Sequence, residues 1–179
     1  LGIDGYHRRS KNLIDEGQFG APIILTPFNY ARGRIDGVEF NASYVRGGWN
    51  AYANFSIAKA QGKDIASGQF NFDPSDIAYI KNHSIYLDQD QTYTGSGGLS
   101  YKFAGGTQLG FTMLYGSGLR ADGTVPNGGK LPPYATFNLT ASHTFAGPGI
   151  EIRADATNVF DHVYEIRDGS GIGVGAPQY

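Results

Sequence analysis

Gln91–Tyr115 reads QTYTGSGGLSYKFAGGTQLGFTMLY, and its pattern decides the fold. In its first half Tyr93, Leu99, Tyr101 and Phe103 share one parity, with Thr94, Ser96, Ser100 and Lys102 on the other. After Ala104-Gly105-Gly106, the residues Leu109, Phe111, Met113 and Tyr115 alternate with Gln108, Gly110 and Thr112. Successive side chains of a strand point to opposite faces, so a period of two means one apolar and one polar face. Glycines between two such runs predict a hairpin, because glycine takes positive φ at no steric cost. Tyr101 and Phe103 sit near the turn, Tyr93 and Tyr115 at the far end. That placement suits a lipid-facing band edged by aromatic girdles, and it also suits an amphipathic hairpin in a soluble sandwich.

The same alternation extends outward in both directions. Tyr134–Phe145 sets Phe137, Leu139, Ala141 and Phe145 against Thr136, Asn138, Thr140, Ser142 and Thr144, and Ile150–Val159 continues it. Upstream, Trp49–Ala60 sets Trp49, Ala51, Ala53, Phe55 and Ile57 against Asn50, Tyr52, Asn54 and Ser56. Tyr30–Val45 does the same with Val38, Phe40, Ala42 and Tyr44, but Arg32, Arg34 and Asp36 then fall on the apolar parity. A bulge near Gly37 would restore the facing; alternatively this part of the strand projects above the membrane. Leu1–Leu13 is a weaker strand, which brings the expected number to about seven.

The connections are informative. Those at 46–48, 104–106 and 146–149 are short, and those at 14–29, 61–90 and 116–133 are long. In an up-and-down antiparallel sheet, strict alternation puts all tight turns at one rim and all long loops at the other. Outer-membrane barrels have that asymmetry, whereas a sandwich has no reason to keep it. Within the long loops, Ile23-Ile24-Leu25 forms a short strand or a tucked segment, and Asp73-Pro74-Ser75-Asp76 could open a helical turn. The thirty residues of 61–90 exceed an ordinary connection, so that loop is functional or mobile.

Composition agrees. The 179 residues include 27 glycines, 23 Tyr plus Phe, no cysteine, and a net charge of −2. The absence of cysteine excludes a disulfide scaffold and thiolate metal sites, and the charge excludes a bulk nucleic-acid binder. Mean hydropathy of −0.30 does not oppose a membrane barrel, whose strands are half polar. No apolar run is long enough for a transmembrane helix. Enzyme chemistry finds no support: His7, His83, His143 and His162 are scattered without ligand spacing. Gly169–Gly175 lacks the Lys-Ser/Thr of a phosphate loop. Asp88 and Asp90, with Asp73 and Asp76, lack the spacing of a calcium loop. Neither a catalytic residue nor a resident metal or cofactor is expected.

Leu131–His143, LPPYATFNLTASH, followed by Glu151–Tyr164, EIRADATNVFDHVY, resembles the C-terminal region of TonB-dependent outer-membrane receptors. The family's Asn-Leu-Phe-Asp followed by an aromatic stands here as Asn158-Val159-Phe160-Asp161 with Tyr164. Tyr115–Arg120 and Gly37-Val38-Glu39 are similar to that family too. The resemblance implies an all-β, antiparallel up-and-down transmembrane barrel in the bacterial outer membrane. Residues 1–179 would be a late part of a 22-stranded wall, truncated at both ends, without the N-terminal plug and the final strand. The whole protein would take up a scarce nutrient such as a ferric siderophore, energised through a TonB complex that engages the plug.

Trp49, Phe55, Tyr101, Phe103, Phe111 and Phe137 are then expected to face outer-membrane lipid. Phe70, Phe72, Tyr79 and Tyr86, in the longest loop, are candidate ligand contacts, with packing of that loop onto itself an equal alternative. Arg153, between Glu151 and Asp155 on the polar parity, is expected to pair inside the lumen. The competing readings are a soluble β-sandwich that binds carbohydrate or another ligand, and a small passive porin, which would need an even number of strands and a closing strand.

Overall fold

The computed structural model describes residues 1–15, 27–168 and 177–179. Seven long strands form one antiparallel sheet: β1 (Gly2–Asp15), β2 (Phe28–Arg46), β3 (Trp49–Ile65), β5 (Tyr93–Lys102), β6 (Thr107–Gly116), β9 (Tyr134–Phe145) and β10 (Ile150–Ala156). Each pairs with its neighbour in chain order, and the short β4 (Ile85–Tyr86) adds to the free upper edge of β3. The sheet is an open piece of an up-and-down wall. A separate two-strand ribbon joins β7 (Arg120–Ala121) to β8 (Gly129–Lys130). Helix α1 (Pro74–Asn82) starts after Asp73 with proline in its first turn, where a missing N–H costs nothing.

The short connections 47–48, 103–106 and 146–149 lie at one rim, and the long ones at the other. At Gly106 φ is +86°, and an added Cβ would sit 2.6 Å from the Thr144 carbonyl oxygen, so both conformation and space demand glycine. Ile23-Ile24-Leu25 and Gly169–Gly175 fall outside the described residues.

Register carries parity from strand to strand. Trp49 lies opposite Tyr101, and Tyr101 opposite Leu109. Leu99, Phe111 and Leu139 form the next row, and Met113 lies opposite Phe137. The six aromatic residues Trp49, Phe55, Tyr101, Phe103, Phe111 and Phe137 therefore lie on one parity face. Trp49 meets Tyr101 at 4.6 Å in a tilted pair, and Tyr101 meets Phe103 at 4.7 Å near the tight turns, while Phe55 and Tyr93 stack at 6.3 Å toward the other end of the band. From Trp49 to Ile57 is nine residues, eight steps or about 26 Å of strand at ~3.3 Å each, which a barrel tilt of ~45° reduces to about 19 Å. The opposite face carries Asn54 bonded to Ser96, Asn138 to Thr112, and Arg153 to Asp155.

One sequence expectation needs correction on register. The ladder passes Gly37 unbroken, with Tyr6 and Ala58 opposite it and no extra residue, so no bulge stands there. The facing changes higher up, at Ala31. The residues that flank it on β1 and β3, Asn12 and Asp64, take left-handed φ of 52° and 63°, and neither pairs with Ala31. Asn and Asp tolerate that region better than other side chains. Beyond this row Leu13 and Tyr30 cross to the polar face. A Cβ on Gly62 would meet the Tyr30 ring at 2.4 Å, and one on Gly33 would meet Leu13 at 2.4 Å.

Strand ends also shift. β3 continues to Ile65 rather than ending at Ala60, because its upper part pairs with β2 and β4. β10 stops at Ala156, because Asn158 turns left-handed (φ 48°) and its side chain accepts from the His162 N–H at 3.1 Å.

Candidate functional site

The long-loop rim is where this wall can meet a solute, and it holds the buried side chains of the described residues. Phe28, Tyr30, Ile65, Phe72, Ile80 and Ile85 form a cluster, with Leu13, Ile77, Tyr79 and Leu87 packed around it. Phe28 meets Tyr30 and Phe72 edge-on at 4.9 and 4.8 Å. The cluster exists because β1–β3 turn their apolar side chains onto the polar face above the Ala31 row, where α1 and β4 cover them.

Beside it lies an ionic knot. Arg120 donates from Nε and Nη2 to Asp90 Oδ2 at 3.0 and 2.8 Å, both side chains being almost fully buried. Its guanidinium lies 3.4 Å from the centroid of the Tyr86 ring. Asp90 Oδ1 accepts the Ala60 N–H at 2.6 Å, tying the knot to β3. Arg167 reaches the buried Asp88 at 3.5 Å. Asn127, fully buried, donates to the Tyr86 carbonyl at 3.0 Å. Tyr134 and Tyr164 stack at 3.9 Å, and Gln91 donates to the Tyr134 hydroxyl at 3.4 Å. Residues from 85–92, 117–133 and 157–168 are thus locked to one another. A charge removed from water is tolerable only when its partner and remaining hydrogen bonds are supplied, and Asp90, with Arg120 on one oxygen and the Ala60 N–H on the other, meets that condition.

Two further rim carboxylates are shifted, Asp122 just after β7 and the half-buried Asp76 on α1. Burial pushes Asp122 above the usual carboxylate range, opposed by the backbone N–H of Gly123 and reinforced by Asp168. Burial also raises Asp76, with Asp122 and Asp73 adding to it. No group of three or more metal-ligating side chains occurs among the described residues.

The structure separates the four aromatic ligand candidates. Phe72 lies within the cluster, and Tyr86 lies under Arg120. Tyr79 is half-buried and stacks on His83 at 4.3 Å. Phe70 stands 88% exposed at the rim. Sequence reasoning missed the knot itself. One signal was present: Arg120 is the sole basic residue between Lys102 and Lys130, and Asp88 and Asp90 had no local cation. Below the rim, the polar face holds a hollow of about 370 Å³ lined by Glu39, Asn41, Asn54, Ser56, Thr94 and Ser96. Its side chains offer hydrogen-bond donors and acceptors that can hold water or a polar solute.

Three comparisons bear on these observations. A family model described as TonB dependent receptor-like, beta-barrel, matches residues 1–159. The crystal structure of the siderophore receptor PiuA from Acinetobacter baumannii is similar in fold, with a TM-score of 0.63 at 18% identity. The match covers 92% of this chain and 22% of that receptor. No curated protein matches the sequence.

Proposed function

We propose a transport role for this chain on one premise: it belongs to the TonB-dependent receptor-like β-barrel family. Members of that family are outer-membrane receptors and transporters rather than enzymes. In our reading residues 1–179 are a C-terminal part of the barrel domain, and the whole protein takes up a scarce small molecule, a ferric siderophore being the leading class. Energy would come through a TonB complex acting on a plug inside the barrel. Trp49, Phe55, Tyr101, Phe103, Phe111 and Phe137 would face lipid. The rim would bear the first ligand contacts, with Phe70 foremost among the four candidates because its ring is exposed.

The observation that carries this reading is the two-faced wall. One face is apolar over nine residues and edged with aromatics, the other is hydrogen-bonded and polar, and all long loops share one rim. A soluble sandwich would have to cover that apolar face with a second large sheet, and among the described residues the other sheet is the two-residue β7–β8 ribbon at the rim.

The test is uptake by the full-length protein in cells. Radiolabelled ferric siderophore should accumulate only when the protein, TonB and inner-membrane energy are all present, and Phe70→Ala should weaken surface binding. Accumulation that persists without TonB would point to the passive-porin reading. Purification as a water-soluble protein without detergent would remove the membrane premise altogether.

A further inference from the structure

Arg9, Lys11, Arg32, Arg34 and Lys63 lie on the outward parity, directly above the apolar band. Register places them in two rows, Arg9–Arg34–Gln61 and Lys11–Arg32–Lys63. The rows follow Val38 and Ile57, the last apolar row, after a single row of His7, Asp36 and Lys59. Behind them the sheet is closed: Gly33 and Gly62 on the opposite face are buried beneath Leu13 and Tyr30. These five side chains therefore face the surroundings of the wall, not its interior.

Asp36 is the one carboxylate among these rows. It accepts from Arg34 Nε at 2.6 Å and lies 2.5 Å from His7 Nδ1. Arg9 Nε donates to His7 Nε2 at 3.1 Å, and Lys63 Nζ donates to the Asn82 carbonyl at 2.9 Å. Those bonds leave the terminal amines of Arg9 and Arg34 available. Lys11 and Arg32 have no hydrogen-bond or ion-pair partner among the described residues. A chain of net charge −2 thus concentrates five of its 14 Lys and Arg around one cleft of about 450 Å³.

We infer that this ladder docks the phosphate groups of phosphorylated lipids in the leaflet around the long-loop rim. Height supports it: the Arg34 row stands four residues above Val38, about 13 Å along the strand and roughly 9 Å along the membrane normal at a ~45° tilt. That is headgroup level if the apolar band lies in hydrocarbon. Spacing supports it as well, since same-face residues recur every ~7 Å along a strand and ~4.8 Å across strands, so two phosphates of one headgroup can each meet several cations. Arginine forks suit phosphate oxygens, and the long stems of Arg and Lys suit the border between hydrocarbon and water. The inference rests on the membrane placement proposed above.

The experiment uses the full-length protein in detergent, titrated with diphosphoryl lipid A, with the same lipid stripped of phosphate, and with inorganic phosphate. We expect Arg9→Gln/Lys11→Gln/Arg32→Gln/Arg34→Gln to lower affinity for the diphosphoryl lipid by about tenfold or more, and affinity for the stripped lipid by less than about twofold. Lys11→Gln/Arg32→Gln, which breaks no described bond, should lose part of that affinity with an unchanged unfolding midpoint. Equal affinity of wild type and both variants for the diphosphoryl lipid would overturn the inference. Displacement of the lipid by millimolar inorganic phosphate would overturn it too, by making the cleft a free-anion site. A detergent-dependent protein in the membrane fraction that binds no phosphorylated lipid sinks this inference alone, whereas a water-soluble protein sinks the transport reading with it.

Discussion

The wall and the rim of this protein solve the burial problem in opposite ways. In the wall below the Asp36 row, Trp49 is 45% exposed, Phe55 41% and Met113 36%. At the rim, Tyr30 and Ile80 are fully buried, as are Asp90 and Arg120 nearly so. A rim that makes its own core needs only water outside it. A wall that leaves its apolar face bare needs another solvent, and in a closed barrel that solvent is lipid. The same polypeptide thus contains one region whose stability is internal and one whose stability is borrowed from its surroundings.

Four measurements test that division. The largest expected effect is at the knot: Arg120→Ala strands Asp90 in a dry site, and breaking a buried pair costs about 3–5 kcal/mol. Amide exchange at residues 85–92 and 117–133 should accelerate accordingly, while β5 and β6 stay protected. Loss of protection across the wall would show that the two regions are one cooperative unit. Next, Ile80→Ala should leave a cavity and destabilise the rim by about 2–5 kcal/mol, again without moving the unfolding of the wall in detergent.

The reciprocal experiment is Met113→Arg, at the middle of the apolar face. It should cost about 2–4 kcal/mol in lipid bilayers, with little change in rim exchange, whereas Thr112→Arg on the polar face should be nearly neutral. Equal costs for the two would remove the assignment of faces. The smallest effect concerns pH. Asp76 and Asp122 hold their protons more tightly in the folded rim than in the unfolded chain. Their contribution is most favourable at low pH and is lost as pH rises from about 4 through their raised values. Rim exchange should quicken modestly over that interval, and Asp122→Asn should flatten the slope.

The wall was legible in the sequence and the rim was not. Strand facing is written in parity, so Leu109, Phe111 and Met113 reveal their common face without coordinates. Burial in a loop follows no period. Phe70 and Phe72 sit two residues apart in the same polar stretch, yet one projects into solvent and the other packs on Phe28. Arg120 and Asp90 are 30 residues apart, and nothing local marks them as partners. Arg32, Arg34 and Asp36 suggested a change of facing, yet they keep the outward parity, and the change lies above them at the Ala31 row. Gly37 carries the usual glycine signal on the same strand, while the residues responsible, Asn12 and Asp64, belong to the two neighbouring strands.

The Ala31 row has a consequence for how such a chain can change. One residue inserted below it would turn the outward side chains beyond the insertion toward the polar face. Above it the alternation has already been broken, so loops can lengthen, shorten or be exchanged without rewriting the hydrophobic code beneath. The row acts as a seam between a frame held by parity and a collar free of it.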